Sequence, residues 1–163
     1  MLDLVLNNIN NESLKILFIS MLPVTELRFS IPYFILVENI PWFKVFVFSI
    51  FGNIFIGIFV RYIISPIMLF FRKNKYFNRI ISYIINRTYT SSRRIKKYKA
   101  MGLILFIGIP LPFTGVWTGS LAAYLFSIPK LYSFLGIVLG VLLSGVIVTL
   151  LSLTGLTIQT LFS

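Results

Sequence analysis

Two opposite charges, Glu26 and Arg28, stand two residues apart in the apolar stretch MLPVTELRFSIP, residues 21–32. Ionisable side chains at membrane depth are expensive, and they face the protein interior and mark a path or a binding site. On a helix the pair would not share a face. In an unwound segment side chains alternate with period two, so the two act together, and Pro23 is a reason to unwind. Arg28 with the Thr25 hydroxyl and free backbone N–H groups makes an anion site, as for a lipid phosphate, and Glu26 is then a proton-linked switch. Otherwise Glu26 is the counter-charge of a cationic ligand. The simplest alternative is an ion pair between Glu26 and Arg28 that only fixes the turn. The uncharged stretch GIPLPFTGVWTG, residues 108–119, is the counterpart. Thr114, Gly115, Trp117 and Thr118 complete the candidate substrate or proton site. Trp117 and Phe113 suit cation–π contact, or plain packing.

Other chemistry is excluded by composition. The chain has no cysteine and no histidine, and its only acids are Asp3, Glu12, Glu26 and Glu38. Disulfides, thiol catalysis and Cys/His zinc sites are out of reach. With no nucleophile–base pair and no carboxylate cluster, no enzyme, metal site or cofactor is expected.

The elements that carry these residues lie in a chain of 163 residues, 58% hydrophobic, with mean hydropathy +0.94. A soluble domain cannot keep that much apolar surface from water, so a bilayer is the expected solvent. The net charge is +11, and ten of the cations fall within 72–99, a stretch without an acid. The positive-inside rule puts this connector in the cytoplasm. Phe77, Ile80, Ile81, Ile84 and Ile85 share one helical face, which predicts an amphipathic helix on anionic inner-leaflet lipid rather than a nucleic-acid arm. The N-terminal residues, MLDLVLNNINNES, do not read as a signal peptide.

Residues 43–64 and 131–153 read as transmembrane helices, with Lys44 and Arg61 snorkelling from the first. The apolar blocks before them are interrupted, at Pro23 and Pro32 in the first and at Pro110 and Pro112 in the second. About 40 residues would be needed for two crossings, and the block 100–129 has 30. Each block is therefore expected to form a re-entrant hairpin with its tip near the midplane, rather than one kinked crossing. Pro23 and Thr25 match Pro112 and Thr114, and Ile40-Pro41, Gly52 and Gly57 match Ile128-Pro129, Gly140 and Gly145. The expected fold is all-α and integral to the membrane. It forms a single domain, 1–163, of two inverted repeats, 14–64 and 101–153, each a re-entrant helical hairpin plus one transmembrane helix. The cytoplasmic connector 72–99 joins them, and both termini face outside. Inverted repeats with broken helices at the midplane are a recurring transporter plan. Gly136, Gly140 and Ser144 make a small-residue face for close helix approach, within the chain or in a homodimer. Asn53 is expected to hydrogen-bond between helices.

Residues 21–32 and 108–125 resemble the two signature segments of the small multidrug export protein family, and the likeness extends over roughly 14–153. That family is similar to the DedA/VTT membrane proteins, which implies paired re-entrant loops and a link to lipid flipping or scrambling. The resemblance implies a multi-pass protein of a bacterial cell membrane that moves a small molecule or a lipid through a midplane site. The alternatives are a phospholipid or polyprenyl-phosphate flippase, and a non-transporting scaffold that binds partners or anionic lipid through its basic loop.

Overall fold

The computed structural model describes residues 11–71, 93–111 and 114–162. Among them are six helices and no strand: α1 (Glu12–Met21), α2 (Glu26–Leu36), α3 (Trp42–Phe71), α4 (Arg93–Gly108), α5 (Val116–Leu125) and α6 (Lys130–Phe162). The amphipathic helix expected around 77–85, and Pro112 and Phe113, lie outside the described residues.

The apolar blocks break where proline and polar residues interrupt them. Asn11 caps α1 by accepting the Ser13 N–H at 3.0 Å, which satisfies an orphan donor of the first turn. At the other end Pro23 follows α1, and the Thr25 hydroxyl donates to the Ile19 carbonyl. Glu26 then opens α2 with φ +39, a left-handed value that only a well-supported site holds at a non-glycine residue. The second break runs from Ile109 to Gly115. Pro32 departs from expectation, because it lies inside α2 and does not interrupt it. One ladder bond, to the Arg28 carbonyl, is forgone. Burial of Ile31, Phe34 and Ile35 on a helix that packs on both α3 and α6 outweighs the loss. The short helices α1, α2 and α5 have 10, 11 and 10 residues, so each is roughly 15 Å long, about half a hydrocarbon core.

Two helices are long and apolar enough to cross a membrane, over Trp42–Ile64 and Lys130–Gly155. Both helices continue past the residues expected from sequence, α3 to Phe71 and α6 to Phe162. Each starts from the same turn. Asn39 (φ 53) and Ser127 (φ 51) reverse the chain just before Ile-Pro. The Pro41 carbonyl then accepts the Val45 N–H at 3.2 Å, and the Pro129 carbonyl the Ser133 N–H at 2.8 Å.

Helix α1 packs on α3, and α4 packs on α6; α5 also packs on α3, α2 on α6, and the long helices on each other. Matched glycines sit at matched contacts. A Cβ at Gly52 would lie 2.7 Å from the Leu17 carbonyl oxygen on α1, and one at Gly140 would lie 2.7 Å from Ile107 Cβ on α4. Gly136 also faces α4, through Leu103, so the small-residue face of α6 is used within the chain. Asn53 donates to the Ser20 carbonyl at 2.7 Å and so joins α3 to α1 as expected. Phe51, Phe55, Leu150 and Leu151 are among the large apolar side chains left exposed on the long helices. An exterior that apolar belongs against lipid.

Candidate functional site

The two breaks meet. Pro23, Val24, Thr25, Glu26, Arg28 and Phe29 from the first, and Pro110, Leu111, Thr114, Trp117 and Thr118 from the second, line one cavity of about 630 Å³. Every described residue of the candidate substrate or proton site borders it except Gly115, which lies just behind, against the Glu26 carboxylate.

Broken helices leave unpaired N–H groups at their starts and unpaired carbonyls at their ends. Here the charges of the first break serve the open ends of the second. Arg28 donates to the Leu111 carbonyl and, at 3.4 Å each, to those of Ile107 and Ile109, where α4 runs out. It also donates to Thr114 Oγ1 at 3.0 Å. A cation at the carbonyl end of a helix is favoured by the backbone dipoles. Glu26 lies at the opposite kind of end. The Trp117 N–H donates to its Oε1 at 3.4 Å, with the Val116 N–H alongside, so the carboxylate faces the start of α5. The approach requires glycine at 115, because a Cβ there would overlap the carboxylate. Trp117 completes the cross-linking, its indole N–H donating to the Met21 carbonyl at 3.1 Å.

This geometry revises the chemistry expected from sequence. Glu26 and Arg28 form no ion pair within 4.0 Å, and each instead holds the other break. The open anion site expected between Arg28 and the helix starts is taken, at α5, by Glu26 itself. Thr25 and Thr118 are bonded within their own segments, to the carbonyls of Ile19 and Gly115. Behind the cavity, Asn53 Oδ1 and Ser144 Oγ are buried without a partner among the described residues, in a narrow gap shared with Glu26 and Gly115. The sequence reading missed the carbonyls of Met21, Ile107, Ile109 and Leu111 as recognition groups, and Val24 and Leu111 as cavity walls. The proline breaks were the available signal, since a broken helix must leave such carbonyls open.

The described residues thus form an all-helical membrane protein with two apolar helices long enough to cross a bilayer and a polar centre where two broken segments meet. The family model for small multi-drug export proteins matches residues 26–147, from the start of α2 through the second break and into α6, and the chain belongs to that family. No curated protein and no solved structure matches it.

Proposed function

We propose that the chain is a membrane transporter of the small multi-drug export kind and that the cavity between its two breaks is the substrate site. One observation carries this reading: both breaks, far apart in sequence, line a single cavity with the only buried carboxylate among the described residues at its edge. The walls are mostly apolar and include Phe29 and Trp117, which suits an amphipathic small molecule. Glu26 is the proton-exchanging group, and the unpartnered oxygens of Asn53 and Ser144 beside it extend a polar path between α3 and α6.

The architecture belongs to the same proposal. Each broken pair is a re-entrant hairpin, and the halves are inverted repeats with residues 72–99 in the cytoplasm and both termini outside. The short helices, the matched turns at Asn39 and Ser127, and the matched contacts of Gly52 and Gly140 support it. Lipid flipping of the DedA-like kind is the second reading. It is favoured by Val24, 92% exposed at the first break, and by exposed Leu111 at the second, an apolar mouth suited to acyl chains.

Reconstitution in liposomes tests both. The export reading predicts efflux of a cationic dye, and the lipid reading predicts translocation of a fluorescent phospholipid. A scaffold would do neither, and that result would end the transport proposal. Glu26→Gln keeps an acceptor for the Trp117 N–H, so the variant should stay monodisperse while losing about tenfold or more of its transport. Full activity in the folded variant would remove Glu26 from the mechanism.

A further inference from the structure

A second cationic site lies away from the two breaks. Arg61 on α3 and Lys130 at the start of α6 converge on a separate cavity of about 90 Å³, whose other walls are Tyr62 and the apolar side chains of Ile58, Phe134 and Ile137. Arg61 is held in place. Its Nε donates to Ser133 Oγ at 3.3 Å, one terminal nitrogen donates to the Ile128 carbonyl at 3.1 Å, and the guanidinium lies 5.9 Å from the centre of the Tyr124 ring. The Lys130 ammonium lies 5.6 Å from the centre of the Tyr62 ring.

Neither cation has a carboxylate partner among the described residues. No acid follows Glu38 in the sequence. Glu12 is bonded to Lys44, Glu26 to the start of α5 and Glu38 to Tyr33, while Asp3 lies outside the described residues. A half-buried guanidinium and an ammonium on one small cavity, with no carboxylate beside them among the described residues, are open to an added anion. Tyr62 and Tyr124 beside these two cations are the aromatic and basic mixture found at head-group level. With Nε and one terminal nitrogen of Arg61 engaged, its other terminal nitrogen and the lysine ammonium are the donors a phosphate oxygen would meet.

We propose that the Arg61–Lys130 cavity binds a phosphate group, with Arg61 as the fixed donor and Lys130 as the closing charge. The site is independent of the transport cavity. Its apolar wall favours a lipid head group over free phosphate, because the glycerol and first methylenes gain contacts there.

The test uses the full chain in uncharged detergent, with native mass spectrometry of added phosphatidylglycerol and of an anionic lipid lacking phosphate. Wild-type protein should retain phosphatidylglycerol preferentially. Lys130→Glu, an exposed position, should fold and weaken retention by about tenfold or more. Arg61→Lys keeps charge without the bonds that fix the guanidinium and should fall between the two. Competition by millimolar inorganic phosphate would assign the site to free phosphate, whereas its failure would assign it to the lipid. Equal retention by Lys130→Glu, or equal retention of the phosphate-free lipid, would overturn the proposal.

Discussion

The two breaks solve the same problem by opposite means. The first is short, four residues between α1 and α2, and the first turn of α2 that follows it carries the charges Glu26 and Arg28. The second is longer, seven residues between α4 and α5, and carries no charge. What the second offers is open backbone: carbonyls at the end of α4 and N–H groups at the start of α5. The first break supplies a cation for one and an anion for the other. The difference teaches that the polar centre is made by complementarity between unlike segments. A site made of two copies of one motif would have placed like charges together.

Arg28 should matter most. Arg28→Gln removes the donors that hold three carbonyls and is expected to cost about 3 kcal/mol, read as lost monodisperse yield and a lower melting temperature. Adding Glu26→Gln should not restore stability, because the two side chains serve different helix ends. Recovery in the double variant would mean that they act as a pair, and the complementarity described above would fail. Gly115→Ala comes next, at about 1–3 kcal/mol, since its methyl group must displace the Glu26 carboxylate. Glu26→Ala in the same chain should relieve part of that cost in a double-mutant cycle, and strict additivity would show that the carboxylate is not the obstacle.

The two long helices invite a sharper comparison, because there the two halves are alike. Gly52→Ala and Gly140→Ala should each cost about 1–2 kcal/mol, and by similar amounts, as each presses a short helix away from the long one that follows it. A large disparity in thermal unfolding would show that the matched turns do not bring matched packing. The smallest effect is expected at the N-terminal end of α1. The bond from Lys44 to Glu12 at 2.6 Å holds that carboxyl below its ordinary range. Its contribution is therefore present above the unfolded pKa and lost as pH falls through the lowered folded value. Glu12→Gln should lower the melting temperature slightly at pH 7 in low salt and leave it unchanged at strongly acidic pH.

Much of the fold was legible because it follows from composition and from single residues. The long apolar runs announced two helices long enough to cross a membrane, since hydropathy over about 20 residues needs no tertiary partner to be read. Pro23 and Pro110 marked the breaks, because a missing N–H acts locally. Pro32 was misread for the same reason: its local cost is real, and only burial of α2 between α3 and α6 overrides it. The lengths of α3 and α6 were understated because a crossing needs only about 20 residues, whereas the apolar runs that form these helices continue well past that length.

The sequence by itself determined that this is an all-helical membrane chain and that Glu26, Arg28, Thr114 and Trp117 stand at interruptions in it. Only the tertiary structure decided what those groups touch. Arg28 lies 83 residues from the Leu111 carbonyl it meets, and Glu26 lies 91 residues from Trp117. Which open helix end a charge satisfies depends on which segments the packing of α2 and α5 against the two long helices brings together, and no local pattern encodes that distance.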